Sequence, residues 1–372
     1  MRILYLYTKD WSREIADYYR GVVPSHRIFG FAELRDMGHQ PVVCSLPERF
    51  KKWKDNALFW KLYQLWFALT SKGRTDCVFA INEAAIVPLL VFKRLGLYRR
   101  PVIIFNTGLM HPRNRSGLRR RFWGWILPCA EAVVSQTKME LESVPREFGL
   151  ALDRQFLIHM LVDTKFFKPE PAAPKADYCL SVGTNEAKDF PTLLKAFPRD
   201  RKLIVVTDAY NAAIIERHRE PGMPVEVLQA VPIAKLRSMY REARVIINPL
   251  AETDYGSGHT VVLENMVLGN PVIVTKVGGM IDYYEEDVSA ISVLPNNVED
   301  MRAKITAYLE APEKFAHVGS RAQEWVRRFS SEEFARRVVA IAEGLLGREK
   351  SPDATSPDQP VGDNPPSPAV HA

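Results

Sequence analysis

Short apolar runs alternate with segments of helical spacing along most of this chain. Residues 3–8, 40–45, 76–81, 101–105 and 132–135 are brief and apolar nearly throughout. That is the pattern of parallel strands covered on both faces. Between them, residues 26–37 and 84–95 carry helical spacing, and Gly38 stands where the first of these helices should stop. The stretch after the first strand is rich in Tyr and polar residues and reads as a loop. A second series follows, with strands at 178–183, 203–206, 225–228 and 245–249 and helices at 188–194 and 234–242. Strands alternating with helices imply parallel sheets, and two such series imply two α/β domains. From Val293 to about Leu346 the pattern is helical.

The stretch from Asp254 to Thr275 is the most informative. A small-residue loop, Gly256-Ser257-Gly258, leads into a helix over 259–268, which Gly269 should end. Residues 271–274 then read as a short buried strand. A loop with two glycines opening a helix offers free backbone N–H groups and the positive end of the helix dipole, and both favour a phosphate. Glu264 falls four residues past Thr260, one turn deeper on the same side. A carboxylate there cannot hold a phosphate, but it can accept hydrogen bonds from sugar hydroxyls such as those of a ribose. A nucleotide-diphosphate site is one reading; a common glycine turn before a helix with a solvated glutamate is the other.

Composition narrows the class. The 372 residues are enough for two domains, and the formal charge of +6 makes an acidic partner natural. Cys44, Cys77, Cys129 and Cys179 stand singly. That spacing argues against a zinc site or a disulfide framework and fits a reducing cytosol. No apolar run reaches the roughly 18 residues of a membrane span. The run at 3–7 is cut short by Lys9 and Asp10, so it reads as a strand rather than a signal peptide. Residues 170–175 hold two prolines, with Pro169 just before them, and read as the link between domains. Residues 351–372 are proline-rich with little apolar bulk and are expected to be disordered.

Two segments of the first half combine basic and aromatic residues. Residues 50–72, taken as one helix, carry Trp53, Phe59, Trp60, Tyr63, Trp66 and Phe67, with Lys51, Lys52, Lys54 and Lys61 toward the start. Residues 113–125 carry Arg113, Arg115, Arg119, Arg120 and Arg121, then Phe122, Trp123 and Trp125. Each can be an ordinary core helix or solvated face. Each can also lie on an anionic membrane surface, where Trp and basic residues suit the headgroup boundary. No helix-turn-helix, RNA-binding or zinc signature accompanies the charge, so nucleic acid is not the expected partner.

The run Leu263-Glu264-Asn265-Met266-Val267-Leu268-Gly269-Asn270-Pro271-Val272-Ile273, followed by Gly278-Gly279, resembles the family 4 retaining glycosyltransferases. The resemblance is firm over 178–328 and looser back to Met1, where Val162-Asp163 to Phe167 and Pro169 resembles the family's closing motif for its first domain. It implies two facing Rossmann-like domains of the GT-B type, 1–170 on the acceptor side and 171–330 on the nucleotide-sugar side. It also implies a helix at 331–350 crossing back to the first domain. The donor's diphosphate would meet Gly183, Lys188 and the loop Ser257, Gly258, His259 and Thr260, and Glu264 would hold the ribose. Lys188 and His111 are the catalytic candidates, although a lysine beside Asp189 and a histidine in a loop are also ordinary surface residues. Asn106-Thr107-Gly108, just before His111, falls at the carboxyl end of a strand, where ligands of α/β sheets collect.

The sequence departs from the family at three points. Gly256 stands where many members carry a second glutamate, and Asp254 or backbone groups are the replacements at hand. Thr184 replaces an arginine. Pro24-Ser25-His26-Arg27 replaces a Gly-Gly in the first loop. His26 is either a helix-start residue or a cleft residue.

The expected activity is transfer of a sugar, with retention, from a nucleotide-diphosphate sugar to a glycan or lipid-linked acceptor, as in cell-envelope polysaccharide synthesis. The departing phosphate would help deprotonate the acceptor. No Asp-x-Asp metal motif is present and no metal or cofactor is expected. The expected place is the cytoplasm, including the inner face of the membrane. A nucleotide-sugar 2-epimerase of similar fold and a catalytically inactive scaffold subunit are the alternatives.

Overall fold

The computed structural model describes residues 1–53, 56–169 and 174–350. The tail from Ser351 and most of the 170–175 link lie outside the described residues. The first domain runs β1 (Arg2–Leu6), α1 (Ser12–Tyr19), α2 (Phe31–Asp36), β2 (Gln40–Val43), α3 (Ala57–Ser71), β3 (Cys77–Ile81), α4 (Glu83–Arg94), β4 (Val102–Phe105), α5 (Gly117–Ile126), β5 (Ala132–Ser135), α6 (Lys138–Phe148) and β6 (Gln155–Leu157). The second runs β7 (Cys179–Val182), α7 (Phe190–Ala196), β8 (Leu203–Val206), α8 (Ala209–His218), β9 (Val225–Leu228), α9 (Ile233–Glu242), β10 (Ile246–Asn248), α10 (His259–Leu268), β11 (Val272–Thr275) and β12 (Ile291–Val293). Helices α11 (Val298–Glu310), α12 (Ala316–Trp325) and α13 (Ser331–Lys350) follow.

The strands form two six-stranded sheets, ordered β2-β1-β3-β4-β5-β6 and β12-β11-β10-β7-β8-β9. Every strand pair is parallel. The inner strands are largely apolar because both faces are covered, while the edge strands β2, β6 and β9 carry Gln40, Gln155 and Glu226. Ile3, Tyr5, Phe79, Ile103 and Phe105 join one core layer, and Leu4, Leu6, Val78, Ala80 and Ile104 join the layer on the other face. The order reverses between β1 and β3 in the first sheet and between β7 and β10 in the second. Such reversals open a crevice at the carboxyl ends of the strands.

Helix α13 packs on α2, and Phe334, Ala335, Val338, Ala342 and Leu345 enter the first domain's core. The Phe334 ring meets Phe29, Phe79 and Phe105 edge-on, with centroids 6.4, 6.2 and 5.3 Å away.

Three local expectations are corrected. The stretch after β1, read as a loop, contains α1, none of whose residues is buried. The helix expected over 26–37 is broken, because Phe29 and Gly30 both take positive φ and split it into a 3-10 turn (Ser25–Ile28) and α2. The helix expected over 50–72 is a 3-10 turn (Glu48–Trp53) followed by α3. Asn56 starts α3 by accepting the Phe59 N–H at 3.0 Å.

Candidate active site

The second domain's crevice lies between the ends of β7 and β10. Lys188 sits beyond Gly183, pairs in a bridge with Leu250 and runs its side chain into this crevice. It is buried, and its Nζ donates to Asn248 Oδ1. Asn248 Nδ2 in turn donates to the Gly258 carbonyl at 3.3 Å. A Cβ on Gly183 would stand 1.9 Å from Lys188 Cε, so only glycine lets the lysine pass. Burial pushes the Lys188 ammonium down to about 7. A lysine enclosed with an amide oxygen as its neighbour is a site prepared for an anion that would restore its charge.

The loop before α10 meets the same crevice. Gly258 caps the helix at φ +77, and a Cβ there would lie 2.8 Å from Asn248 Nδ2. Among the described residues no side chain caps α10, and the enclosed Ser257 Oγ has no hydrogen-bond partner. The first N–H groups of α10, at His259, Thr260 and Val261, have no carbonyl within the helix to bond. Unpaired donors, a bare hydroxyl and a buried ammonium therefore converge.

The His259 side chain turns away from them. Its ring stacks on Tyr283 with centroids 3.9 Å apart, and Nε2 donates to the Gly279 carbonyl at 2.6 Å. Burial pushes its pKa down to about 4, so it is neutral wall, and what it offers the loop is its backbone N–H.

Glu264 is buried one turn further along. Its Oε2 accepts the Tyr240 hydroxyl at 3.0 Å, and its Oε1 lies 3.3 Å from Nε2 of His26 in the first domain. Thr260 and Glu264 line a cleft of about 290 Å³ together with Lys9, Trp11, His26 and Arg27. His26 thus faces the cleft, and the substituted first loop brings Arg27 with it.

A larger cleft of about 640 Å³ lies on the other side of the loop, lined by His111, Met139, Glu186, Asp254 and Tyr255 among others. His111 Nδ1 accepts the Arg113 N–H at 3.2 Å, which leaves Nε2 to donate to Glu186 Oε1 at 2.5 Å. The Tyr255 hydroxyl donates to the same oxygen at 3.3 Å, and its ring stacks under the imidazole. Asp254 is paired with Arg115 of the first domain, which binds the carboxylate weighed as a stand-in at position 256. Gly256 itself has no room for a side chain, since a Cβ would sit 2.2 Å from His259 Cε1.

The loop from Asp254 to Thr260 therefore touches both clefts. Gly183, Lys188, Ser257, Gly258, Thr260 and Glu264 gather around it in the second domain, and His111 approaches from the first. Sequence reasoning missed Glu186, Tyr240 and Glu140, each brought in from another element. Among the described residues no group of three or more His, Cys, Asp or Glu is placed to hold a metal, and no helix is long and apolar enough to cross a membrane.

Comparison with known proteins agrees with this architecture. Residues 177–311, most of the second domain, match the family model described as glycosyl transferases group 1. The D-inositol 3-phosphate glycosyltransferase of Segniliparus rotundus is 32% identical over 246 residues, which are 60% of this chain and 53% of that protein. That of Xylanimonas cellulosilytica is 24% identical over 242 residues, 58% of this chain and 57% of that protein. The chain thus spans about half the length of the curated relatives it matches. The fold is that of the GT-B glycosyltransferases. HepE of Anabaena, solved with UDP-glucose, superposes with a TM-score of 0.67 at 17% identity, covering 93% of this chain and 100% of that one. Sucrose-phosphate synthase of Thermosynechococcus elongatus gives 0.70 at 15% identity, covering 93% and 99%.

Proposed function

We propose that this chain is a glycosyltransferase using a nucleotide-diphosphate sugar as donor, acting with retention of configuration and without a metal ion. The observation that carries the reading is the buried, electrically unsatisfied Lys188 beside the uncapped start of α10. Bound there, the diphosphate restores the lysine's charge and fills the empty N–H groups. The ribose side then reaches Glu264 in the smaller cleft, and the sugar enters the larger cleft beside His111. The bond from the sugar's anomeric carbon to the phosphate oxygen breaks, and a bond to the acceptor oxygen forms on the same face. The acceptor's proton passes to the departing phosphate. Relatives named for transfer to an inositol phosphate, and a fold neighbour solved with UDP-glucose, support this chemistry.

The test is calorimetry of the full chain against a panel of UDP-, GDP- and ADP-sugars, with product analysis. One donor should bind and hydrolyse slowly, and Lys188→Ala should abolish binding. Isomerisation of a donor without transfer would make the protein an epimerase, and binding of none would make it a scaffold.

A lipid-linked acceptor met at an anionic bilayer is part of the proposal, with the protein on the cytoplasmic face. Leu58, Leu62 and Trp66 form an outward stripe on α3, exposed by 69, 52 and 54%. Leu118, Phe122 and Trp125 form another on α5, where Leu118 is 82% exposed. Helix α4 packs between the two. Arg119, Arg120 and Arg121 are exposed beside the second stripe, and the Arg94 guanidinium lies 5.9 Å from the Trp125 ring. Apolar stripes edged by arginine complement an anionic surface, where each basic residue contributes about 1 kcal/mol. Trp60 and Trp123, in the same two segments, are buried and serve the core instead.

A further inference from the structure

The phosphate-side loop is fastened from the opposite domain. Glu140, in the first turn of α6, folds its carboxylate back over the start of its own helix. Its Oε2 accepts the Gln136 N–H at 3.0 Å, while the Thr137 hydroxyl accepts the Glu140 N–H at 3.1 Å. So far this is a helix cap. The other oxygen does something a cap does not require: Oε1 crosses to the second domain and accepts the Gly256 N–H at 3.1 Å. The backbone at 256 is pressed so closely that a Cβ would stand 3.3 Å from Thr137 Cγ2 as well as against His259. The family resemblance would put a glutamate at 256. Here the carboxylate at that place belongs to Glu140 and is aimed at the loop's own backbone.

We propose that Glu140 is a positioning residue for the loop 256–260, holding it in the shape that aims its N–H groups into the crevice, and only while the two domains are together. The proposal rests on the reading of that loop as a diphosphate site. It follows that the phosphate cradle is completed by domain closure rather than built into the second domain alone.

The carboxylate's surroundings give closure a sign. Glu140 is enclosed, with Glu83 of α4 acting on it as a like charge and Tyr283 facing it from the other domain. Burial, reinforced by Glu83, pushes the Glu140 carboxyl from its ordinary 4.5 up to about 7, against the hydrogen bonds from Gln136 and Gly256. With the domains apart, the carboxyl meets water and returns toward its ordinary value. Closing therefore takes up a proton between these two values, and closure tightens as pH falls through about 7.

Hydrogen exchange of the donor-free full chain, read by mass spectrometry, tests this without knowing the donor. Glu140→Ala should speed exchange of the segment 254–260 by roughly tenfold or more, the equivalent of about 1.4 kcal/mol, and leave β7 and β11 as protected as before. Glu140→Gln keeps an oxygen for Gly256 and has no charge to bury. Its loop should stay protected, with no dependence on pH from about 5.5 to 8, where the wild-type loop gains protection toward acid. Glu140→Ala loop exchange equal to wild type would overturn the proposal, as would identical pH profiles for wild type and Glu140→Gln. Should the exchange behave as expected while the wild type binds no nucleotide sugar, the loop's phosphate role is overturned and the Glu140 contact stands.

Discussion

His26 and Glu264, one from each domain, face each other at 3.3 Å with the hydrogen-bearing edge of the imidazole toward the carboxylate. The tautomer follows from the other ring nitrogen, which accepts the Asp163 N–H at 3.2 Å and so carries no proton. Glu264 thus has one oxygen toward His26 and the other on Tyr240, and a sugar diol has to use the remaining lone pairs. Glu264→Ala should cost about 2–4 kcal/mol of donor binding. Because it leaves the Tyr240 hydroxyl buried without its acceptor, it should also cost about 1–3 kcal/mol of stability. Calorimetry and urea unfolding measure the two separately, and an unchanged donor affinity would remove Glu264 from the site.

Lys188 sets the pH dependence of donor binding. Burial depresses its pKa to about 7, and a bound diphosphate should raise it again. Binding therefore takes up a proton above pH 7, and affinity should fall by up to about tenfold per pH unit as pH rises beyond that point. Calorimetry in buffers of different ionisation enthalpy reads the proton directly. In folding the trend is complementary, because the unfolded chain binds the Lys188 proton more readily than the folded one. Lys188's contribution is fully present above its ordinary value of 10.5 and is lost as pH falls through about 7.

Gly183→Ala places a methyl group on the path of the Lys188 side chain, 1.9 Å from Cε. The lysine has to leave the crevice, so donor affinity should drop by at least about tenfold, toward that of Lys188→Ala. Isothermal titration of both variants makes the comparison. Full affinity in Gly183→Ala would mean that the lysine's route is not what the glycine protects.

Turnover should survive excess EDTA, since the lysine and the helix start meet the diphosphate's charge. Activity lost to EDTA and restored by magnesium or manganese would show that a metal shares the task.

Liposome flotation tests the membrane face. The wild type should float with anionic vesicles, less with neutral ones and less in high salt. Replacing Arg119, Arg120 and Arg121 by Ser should weaken flotation, as should replacing Leu118 and Trp125 by Ser. Protein left at the bottom of the gradient with anionic vesicles at low salt would point to a water-borne acceptor.

The double α/β pattern was legible because it is carried by local runs such as Cys77–Ile81 and Val272–Thr275, buried on both faces. Helix α10 was equally plain, bracketed by Gly258 and Gly269, both at positive φ. Signals that depend on distant parts of the chain were not. Gly30 breaks the expected helix where Phe334 presses on it, 3.1 Å from a would-be Cβ, from 304 positions further along the chain. Glu140 looks like a helix cap until its second oxygen is found on Gly256. Glu186 looks like a surface residue until His111 and Tyr255 arrive on it. Helix α1 buries none of its residues fully, and its apolar side, Ile15 and Tyr18, is short and set among Tyr and charged residues that read as a loop. Asn56, by contrast, is a start signal for α3 that the sequence displays and the wide aromatic pattern around it obscured.

The packing of α13 on α2 reverses the order in which the domains can be finished. The first domain's sheet is synthesised early, yet the layer that Phe79 and Phe105 share with Phe29 and Phe31 stays incomplete until Phe334 and Leu345 have left the ribosome. The second domain, continuous from β7 to β12, has its own sheet and core complete before that. A nascent chain therefore carries a partly covered aromatic face through the synthesis of the second domain, and α13 completes it. A fragment ending at Ser330 keeps every strand of both sheets and lacks the part of the first sheet's cover that Phe334, Val338 and Leu345 supply.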